Sequence, residues 1–415
     1  MEVVFERCVG LDVHLKTVQA CVRLPGEGRK RDERNREFNT FTEGLRALRD
    51  WLKSEGVTHV AMEATGVYWR PVWYMLQDLE GVELLLVNAR HVKNVPGRKT
   101  DVKDAQWLCQ LLECGLLQGS FVPTAVMQRL RDLTRYRSKL VNDRAREVQR
   151  IHKILEDASL KLDAVIADVL GVSGRQMLEA LIAGERDPAV LANMAKRRMR
   201  SKIPVLNLAL EGRFGDHHAV MARLHLDHID YLDDAIDRLE QEVDKQMIPF
   251  KEEAALLETI PGVGTRVAQV IVAEVGVDVS RFPTAAHLAS WAGLCPGNHE
   301  SGGKSRSGKT GKGNAALCAA LCEAAWAASH TKDTYLAAQF ARFARRFGRR
   351  GVNQAITALA HTMLVIAWHV LANNVPYAEL GPDYFQRLDD PEAKKRRLIH
   401  QLESLGLRVT VQSAA

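Results

Sequence analysis

The chain has 415 residues, of which 46% are hydrophobic, and this is enough for two or three domains that each bury a core. We expect no signal peptide, because the N-terminus MEVVFERCVG lacks the design of one, and no membrane span, because no apolar run approaches the roughly twenty residues required. The formal net charge of +6 is mild but unevenly distributed, which favours a polyanionic partner over a membrane. These properties predict a cytoplasmic protein whose seven cysteines, none of them in a CxxC pair, are reduced thiols.

Strand-like and helix-like segments alternate between residues 8 and 110. The apolar segments CVGLDVHL and TVQACVRL predict a pair of strands, NREFNTF predicts a third, and TEGLRALRDWLKSEG has the spacing of an amphipathic helix. Two further apolar strands, VTHVAMEAT and VELLLVNAR, are separated by a helix around YWRPVWYMLQDLE. This order predicts an α/β sheet with three antiparallel strands followed by parallel crossovers.

Four acidic residues stand where this sheet would bring them together. Asp12 lies within the first strand and Glu63 ends the fourth, where helix capping does not explain a carboxylate and where burial without a partner is costly. Asp101 and Asp104 stand three apart at a helix start; alone they are explained by capping, but residues i and i+3 share one helix face and can bind one cation. If the first and fourth strands are neighbours, the four carboxylates converge on two divalent ions about 4 Å apart, Mg²⁺ or Mn²⁺. This layout resembles the ribonuclease-H-like fold, especially the RuvC type of Holliday-junction resolvase.

Residues 121 to 250 have helical spacing. The heptad stripe from Ile229 to Val243 predicts that two long helices pair as a coiled-coil arm around a short helical insert at 156–215. The first long helix is basic, with nine Arg or Lys against three acids between Arg129 and Lys153. Such a run is usually a solvated helix face, but it also fits the backbone of a nucleic acid.

Glycines mark the remaining motifs. In LLETIPGVGTRVAQVIVAEVG, Gly262 and Gly264 fit a helix-hairpin-helix, whose tight turn exposes backbone N–H groups to a DNA phosphate; a plain turn between packed helices is the alternative. The segment CPGNHESGGKSRSGKTGKGN, residues 295–314, predicts a flexible loop that can approach a phosphate backbone. Its GKSRSGKT matches the phosphate-loop pattern, but no buried strand precedes it and no helix follows at once, so we do not predict nucleotide binding.

These motifs together resemble those of the DEDD transposases of the insertion-sequence one-ten family, relatives of the Piv DNA invertase. The resemblance covers residues 8 to about 375 and includes the glycine-flanked serine of P-x-x-x-E-S-G-G, residues 296–303. It implies action on DNA as an oligomer directed by a structured bridge RNA. It also implies that Ser301 is the nucleophile, with Ser305 and Ser307 near enough to be alternatives. The implied metal ligands are Asp12, Glu63, Asp101 and Asp104.

We therefore predict four regions. Residues 1–120 form an α/β, ribonuclease-H-like (RuvC-like) DEDD catalytic domain, and residues 121–250 form the coiled-coil arm with its helical insert. Residues 251–375 form a mainly α-helical transposase domain with the helix-hairpin-helix and the serine loop, and residues 376–415 form a charged tail.

The predicted function is that of an insertion-sequence transposase which cleaves and rejoins DNA through a serine nucleophile with Mg²⁺ or Mn²⁺. Its partners are the DNA of the element ends and target, a bridge RNA, and further copies of itself in a dimer or tetramer on the nucleoid, with acids from one subunit and serine from another. Lys304 is expected to neutralise the attacked phosphate. A resolvase-like nuclease in which water attacks is the alternative, and a non-catalytic nucleic-acid-binding scaffold is a third. The predicted RNA contacts are Arg135, Arg137, Arg144 and Arg146.

Overall fold

The computed structural model describes residues 3–27, 30–64, 66–88, 92, 104–297, 300–302, 304–305, 310–348, 351–388 and 391–410. The chain forms two compact units, Met1–Pro123 and Thr124–Ala415. Two predicted site positions, Asp101 and the alternative serine Ser307, lie outside the described residues.

A five-stranded mixed sheet forms the centre of the first unit. Its strands are β1 (Cys8–Val13), β2 (Thr17–Pro25), β3 (Arg31–Asn39), β4 (His59–Glu63) and β5 (Glu83–Val87). The strands are ordered β3-β2-β1-β4-β5, with β2 antiparallel to both β1 and β3, and with β4 parallel to both β1 and β5. This is the strand order of ribonuclease-H-like sheets, and it confirms the predicted α/β sheet in which the first and fourth strands are neighbours.

Helices cover both faces of this sheet. They are α1 (Thr42–Ser54), α2 (Trp69–Leu76) and α3 (Asp104–Glu113). Because side chains alternate along a strand, β1 contributes to two cores: Val9 and Leu11 pack with α1 and α2, whereas Cys8 packs with α3. The even-numbered residues of β1, including Asp12, therefore belong to the face that α3 covers.

The second unit is mostly helical. In chain order its elements are α4 (Ala125–Asp157), α5 (Leu162–Val165), α6 (Val172–Ile182), α7 (Pro188–Asn193), a 3₁₀ turn (Arg197–Lys202), α8 (Ile203–Ala209), α9 (Asp216–Met247), a second 3₁₀ turn (Ile248–Phe250), α10 (Lys251–Glu258), α11 (Thr265–Val275), α12 (Ala285–Ala292), β6 (Glu300–Ser301), β7 (Lys304–Ser305), α13 (Ala315–His330), α14 (Tyr335–Phe347), α15 (Val352–Asn373), α16 (Tyr384–Leu388) and α17 (Pro391–Ser404).

The two long helices, α4 with 33 residues and α9 with 32, pack against each other in antiparallel directions. Leu140 of α4 packs on Leu232 and Ile236 of α9, two members of the predicted heptad stripe. Glu147, further along α4, contacts His225, which comes earlier in α9. The stripe is therefore the seam between the two helices.

The segment that connects these helices has a hydrophobic core of its own. Helices α5 to α8 pack around Leu178, Leu191 and Leu206, together with the end of α4 and the beginning of α9. The predicted helical insert is thus a small folded cap at one end of the α4–α9 pair.

Helix α15 bears on the expected absence of a membrane span. It is long and apolar enough to cross a membrane by length and composition, with a mean hydropathy of 1.7 over a window of which 44% is buried. Polar residues such as His361 and His369 interrupt it, so it contains no continuous apolar run of about twenty residues in the sequence. In the structure it packs against α12, α13 and α14.

Candidate active site

Asp12 and Glu63 lie side by side at one edge of the sheet. The parallel register of β1 and β4 pairs Leu11 with Met62, and one further step at the same offset brings Asp12 opposite Glu63. Residues at equivalent positions of neighbouring strands point to the same face. Both acids are half-buried, and 25% of the Asp12 side chain is exposed. Two carboxylates thus share one partly solvated edge.

Gly10 brings the backbone of α3 against β1. A Cβ atom at Gly10 would lie 2.3 Å from the carbonyl oxygen of Ala105 and 2.5 Å from the backbone nitrogen of Cys109. No larger side chain fits at this position, so the glycine sets how closely the helix approaches the strand.

The contacts of α3 along β1 show which end of the helix reaches the acids. Cys8 meets Cys109 with their sulfur atoms 3.7 Å apart, whereas two residues further along β1 the contacts extend to Ala105. The helix therefore runs antiparallel to the strand. Its first residue, Asp104, lies at the end of β1 that carries Asp12.

The predicted metal ligands are thus brought towards one another only in part. Asp104 is exposed at the start of α3, and Asp101 lies outside the described residues. Within the described ranges, no group of three or more His, Cys, Asp or Glu is close enough to hold a metal ion. The carboxylates that share the edge are hard oxygen ligands, a donor set that fits Mg²⁺ or Mn²⁺ better than zinc.

His14 lies beside Asp12, and the sequence analysis did not single it out. Its Nε2 is 3.1 Å from Oδ2 of Asp12, and 63% of its side chain is exposed. The ring restricts the carboxylate on one side and leaves the other oxygen available.

Ser301 lies on a short β-hairpin within the segment 295–314 that the sequence predicts to be a flexible loop. Glu300 pairs with Ser305 and Ser301 pairs with Lys304. Gly302, which follows Ser301, has φ +61°, a left-handed conformation that favours glycine and is common in tight turns. The backbone therefore holds Ser301 immediately before a tight turn, with Lys304 directly across from it.

A buried carboxylate stabilises the two ends of the hairpin segment, the part of the chain between α12 and α13 that carries Ser301. Glu274, which is 0% exposed, accepts hydrogen bonds from Arg135 at 2.6 and 2.8 Å and from the side-chain amide of Asn314 at 2.6 Å. Arg131 forms a further ion pair with it at 3.2 Å. Asn314 also caps α13, and its backbone N–H donates to the carbonyl of Ala292, at the end of α12. These contacts hold α4, α11 and α13 together beside the two ends of the hairpin segment, at Ala292 and Asn314.

Two of the four predicted RNA-binding arginines have internal partners in the same region. Arg135 forms the ion pair with Glu274, whose hydrogen bonds raise the pKa of the guanidinium. Arg137 is 4% exposed and donates to Gln269 at 2.6 Å; burial, with Arg266 nearby, lowers its pKa.

The other two arginines lie further along α4. Arg144 forms a two-point ion pair with Asp233 of α9. Arg146 contacts Asp143 one turn away and remains 71% exposed. Of the four arginines, Arg146 has the most accessible side chain.

The two glycines of the predicted helix-hairpin-helix lie in the turn between α10 and α11. Gly262 has φ +87°, and a Cβ atom there would lie 2.3 Å from the carbonyl oxygen of Ala324 in α13. Gly264 begins α11, is exposed and has open space around it. The first glycine thus serves close packing, and the second leaves the helix start accessible.

Four residues near these sites were missed by the sequence analysis: Gly10, His14, Glu274 and Asn314. A glycine inside an apolar strand is a usable signal, because it marks a close backbone approach. Glu274 is flagged only by being a single acid in the apolar run VAQVIVAEV. The partners of His14 and Asn314 become visible only in three dimensions.

Comparison with protein-family models identifies two matched regions. Residues 9–159 match a model described as "DEDD_Tnp_IS110: Transposase". Residues 254–342 match one described as "Transposase IS116/IS110/IS902 family". The first contains β1, β4 and α3 with their acids, and the second contains the hairpin of Ser301.

Several curated proteins are similar over long stretches. The transposase for insertion sequence element IS1111A of Coxiella burnetii is 26% identical over 77% of this chain and 79% of its own length. A probable family 20 transposase of Pseudomonas aeruginosa is 26% identical over 80% of this chain and 88% of its own length. The pilin gene-inverting protein of Moraxella bovis is 33% identical over 36% of this chain and 48% of its own.

Proposed function

Since the chain belongs to the IS110 family of transposases, phosphoryl-transfer enzymes that recombine DNA, we propose that it cleaves DNA with a metal cluster held by four carboxylates and rejoins it through a serine. The observation that carries this proposal is the shared sheet edge of Asp12 and Glu63, towards which α3 directs its first residue. The proposed ligands are Asp12, Glu63, Asp101 and Asp104. When bound, Mg²⁺ or Mn²⁺ would favour deprotonation of the attacking group and offset charge on the leaving oxygen.

The residues of this chain then have separate tasks. His14 orients Asp12, and Gly10 fixes the distance between β1 and α3. The Ser301 hydroxyl attacks the phosphorus, a phosphoserine ester forms, and the displaced deoxyribose hydroxyl leaves with a proton. Attack by a second DNA hydroxyl reverses these steps and releases the serine, so the bond energy is kept and ATP is not required. Lys304, across the hairpin from Ser301, offsets the charge of the phosphate.

Removing the charge of one carboxylate tests the proposed cluster. We expect Glu63→Gln and Asp104→Asn each to reduce DNA cleavage by at least about a hundredfold, because the shape is kept while a metal ligand is weakened. Mn²⁺ should raise the melting temperature of the wild-type protein but not that of the variants, since only a bound ion stabilises the fold. Cleavage assays and thermal melting measure the two effects.

The matched control is Glu43→Gln, which neutralises an exposed acid in the first turn of α1. Like Asp104→Asn, it removes a negative charge from the first turn of a helix and so has the same effect on the helix dipole. It should leave cleavage and the Mn²⁺ response unchanged. If Asp104→Asn behaves like this control in both assays, Asp104 caps α3 and is not a metal ligand.

The proposed DNA contacts lie on the second matched region. Gly264 leaves the start of α11 open, and Gly262 lets the turn pack on α13 without a side chain. We propose that the duplex approaches this turn and the nearby hairpin with Lys304. Two or more subunits, with acids from one and serine from another, would complete one site in the bacterial cytoplasm.

A structured RNA partner is proposed on the exposed face of α4, and the structure changes which residues test it. Arg135, Arg137 and Arg144 have internal partners, so their replacement would also disturb packing. Three other exposed cations of α4, including Arg146, recur at seven-residue intervals and therefore share one helix face: Lys139, Arg146 and Lys153.

We expect the triple change of Lys139, Arg146 and Lys153 to glutamine to weaken binding of the RNA that co-purifies with the protein. The slope of log affinity against log salt should fall by roughly 2, since each lost phosphate contact removes about 0.7 to 0.9. Arg137→Gln is the comparison, because it should lower the melting temperature without altering the slope. An unchanged slope in the triple variant would exclude this face from the RNA interface.

A further inference from the structure

The strongest unassigned feature is a cluster of exposed cations on the helical insert. The sequence AKRRMRSK places five basic residues within seven positions, and residues 188–210 contain no Asp or Glu. All five are exposed in the structure. This segment, called the basic turn below, lies between the two matched family regions and consists of Lys196, Arg197, Arg198, Arg200 and Lys202.

Among the described residues, the five cations of the basic turn have no acidic partner, unlike two arginines of the neighbouring helices α6 and α9. Arg175 is paired with Asp230 and Glu179, and Arg223 is also paired with Glu179. By contrast, no carboxylate among the described residues forms an ion pair with any of the five. Their positive charges are therefore not neutralised internally and remain available to an anionic partner.

The backbone of the turn is held in place by the insert. Met199 and Ile203 pack on its hydrophobic core, and the backbone N–H of Lys196 donates to the hydroxyl of Ser173 at 3.0 Å. Lys202 donates to the carbonyl of Val165 at 2.6 Å. Because the backbone is anchored in this way, binding a partner orders mainly the side chains.

Arg197 shows that this conformation has a cost. Its φ is +52°, a left-handed value that a non-glycine residue seldom adopts and that costs of order 1 kcal/mol. The turn begins at this residue, and the cations that follow it are exposed while Met199 packs on the core.

We propose that the basic turn binds the backbone of duplex DNA, away from the site of strand cleavage. The 3₁₀ turn spans six residues, Arg197–Lys202. At about 2 Å per residue this is about 12 Å, the length of three to four base steps. It can therefore meet about three phosphates. The binding of duplex rests on DNA as the family's partner, whereas its distance from the cleaved step rests also on the proposed function, which places strand cleavage at the hairpin of Ser301.

The position of the insert determines which part of the DNA it would contact. The hairpin segment is held by the contacts of Glu274, which binds Arg135 of α4. The insert packs around Leu155, at the other end of the same helix. The twenty residues between these positions correspond to about 30 Å of helix, or about nine base pairs of duplex. The basic turn would hold DNA flanking the cleaved step.

The test is DNA binding by the full-length protein without cleavage, so a failure here leaves the chemistry of the active site untouched. We expect replacement of Arg197, Arg198 and Arg200 by glutamine to weaken binding of a long duplex about tenfold at low salt and to reduce the salt slope by roughly 2 to 3. Thermal melting should be unchanged, because these side chains have no described internal partner. A photo-reactive amino acid at Ser201 should crosslink to duplex at least about nine base pairs from the cleaved step.

The control removes the same charge from another surface, by replacing Arg46, Arg49 and Lys53 of α1 with glutamine. An equal loss of affinity in this control would show a general effect of net charge and overturn the proposal. Crosslinks to RNA alone, or a loss of RNA binding with DNA binding intact, would also overturn it.

Discussion

Ser301→Ala is expected to eliminate the covalent protein–DNA adduct and to reduce strand exchange at least about a thousandfold, because the variant lacks the hydroxyl proposed to carry the phosphodiester between cleavage and rejoining. The hairpin supports this assignment, since it holds Ser301 one residue before the turn and places Lys304 opposite. The measurement is a suicide DNA substrate whose label remains with denatured protein after cleavage.

Ser305→Ala is the matched control, because Ser305 lies on the other strand of the same hairpin and pairs with Glu300. It should retain both adduct and strand exchange. If Ser301→Ala releases free, hydrolysed DNA ends at the wild-type rate, water is the nucleophile and the enzyme acts as a resolvase-like nuclease. Mixing Ser301→Ala with Asp104→Asn should restore activity if two subunits share one site.

The sheet edge could be predicted because strand signals are local. The apolar segments around Asp12 and Glu63 specify both strands, and the strand order then makes these acids neighbours. What the sequence could not give is the approach of α3, because this depends on what meets Gly10 at a distance of about one hundred residues in the chain.

The basic helix shows a limit of composition as evidence. A solvated face, a nucleic-acid contact and a buried ion-pair network require the same residue types. Arg137 and Arg146 belong to one charge run, yet the first is 4% exposed and the second has 71% of its side chain exposed. The difference arises from α11, which packs on the first half of α4 and presents Gln269 and Glu274 to it. The sequence of the run itself therefore does not predict which of its arginines are buried and which are exposed.

Glu274→Ala should be among the most destabilising single changes in the second unit. It would leave Arg131, whose side chain is 12% exposed, without its carboxylate, and it would remove the acceptor for Asn314. Breaking a buried ion pair from one side typically costs about 3 to 5 kcal/mol. For a unit of this size we expect the melting temperature to fall by roughly 6 to 20 °C, measured by calorimetry or circular dichroism.

Glu179→Gln is the control, since Glu179 is also bound by two arginines but its side chain is 34% exposed. Water can replace the lost partner there, so the expected cost is below about 1 kcal/mol. Asn314→Ser separates stability from positioning: serine still caps α13 but is too short to reach Glu274, so melting should change little while the cleavage rate falls. If Glu274→Ala melts like Glu179→Gln, the buried network does not hold the hairpin segment, and Ser301 must be positioned by the turn alone.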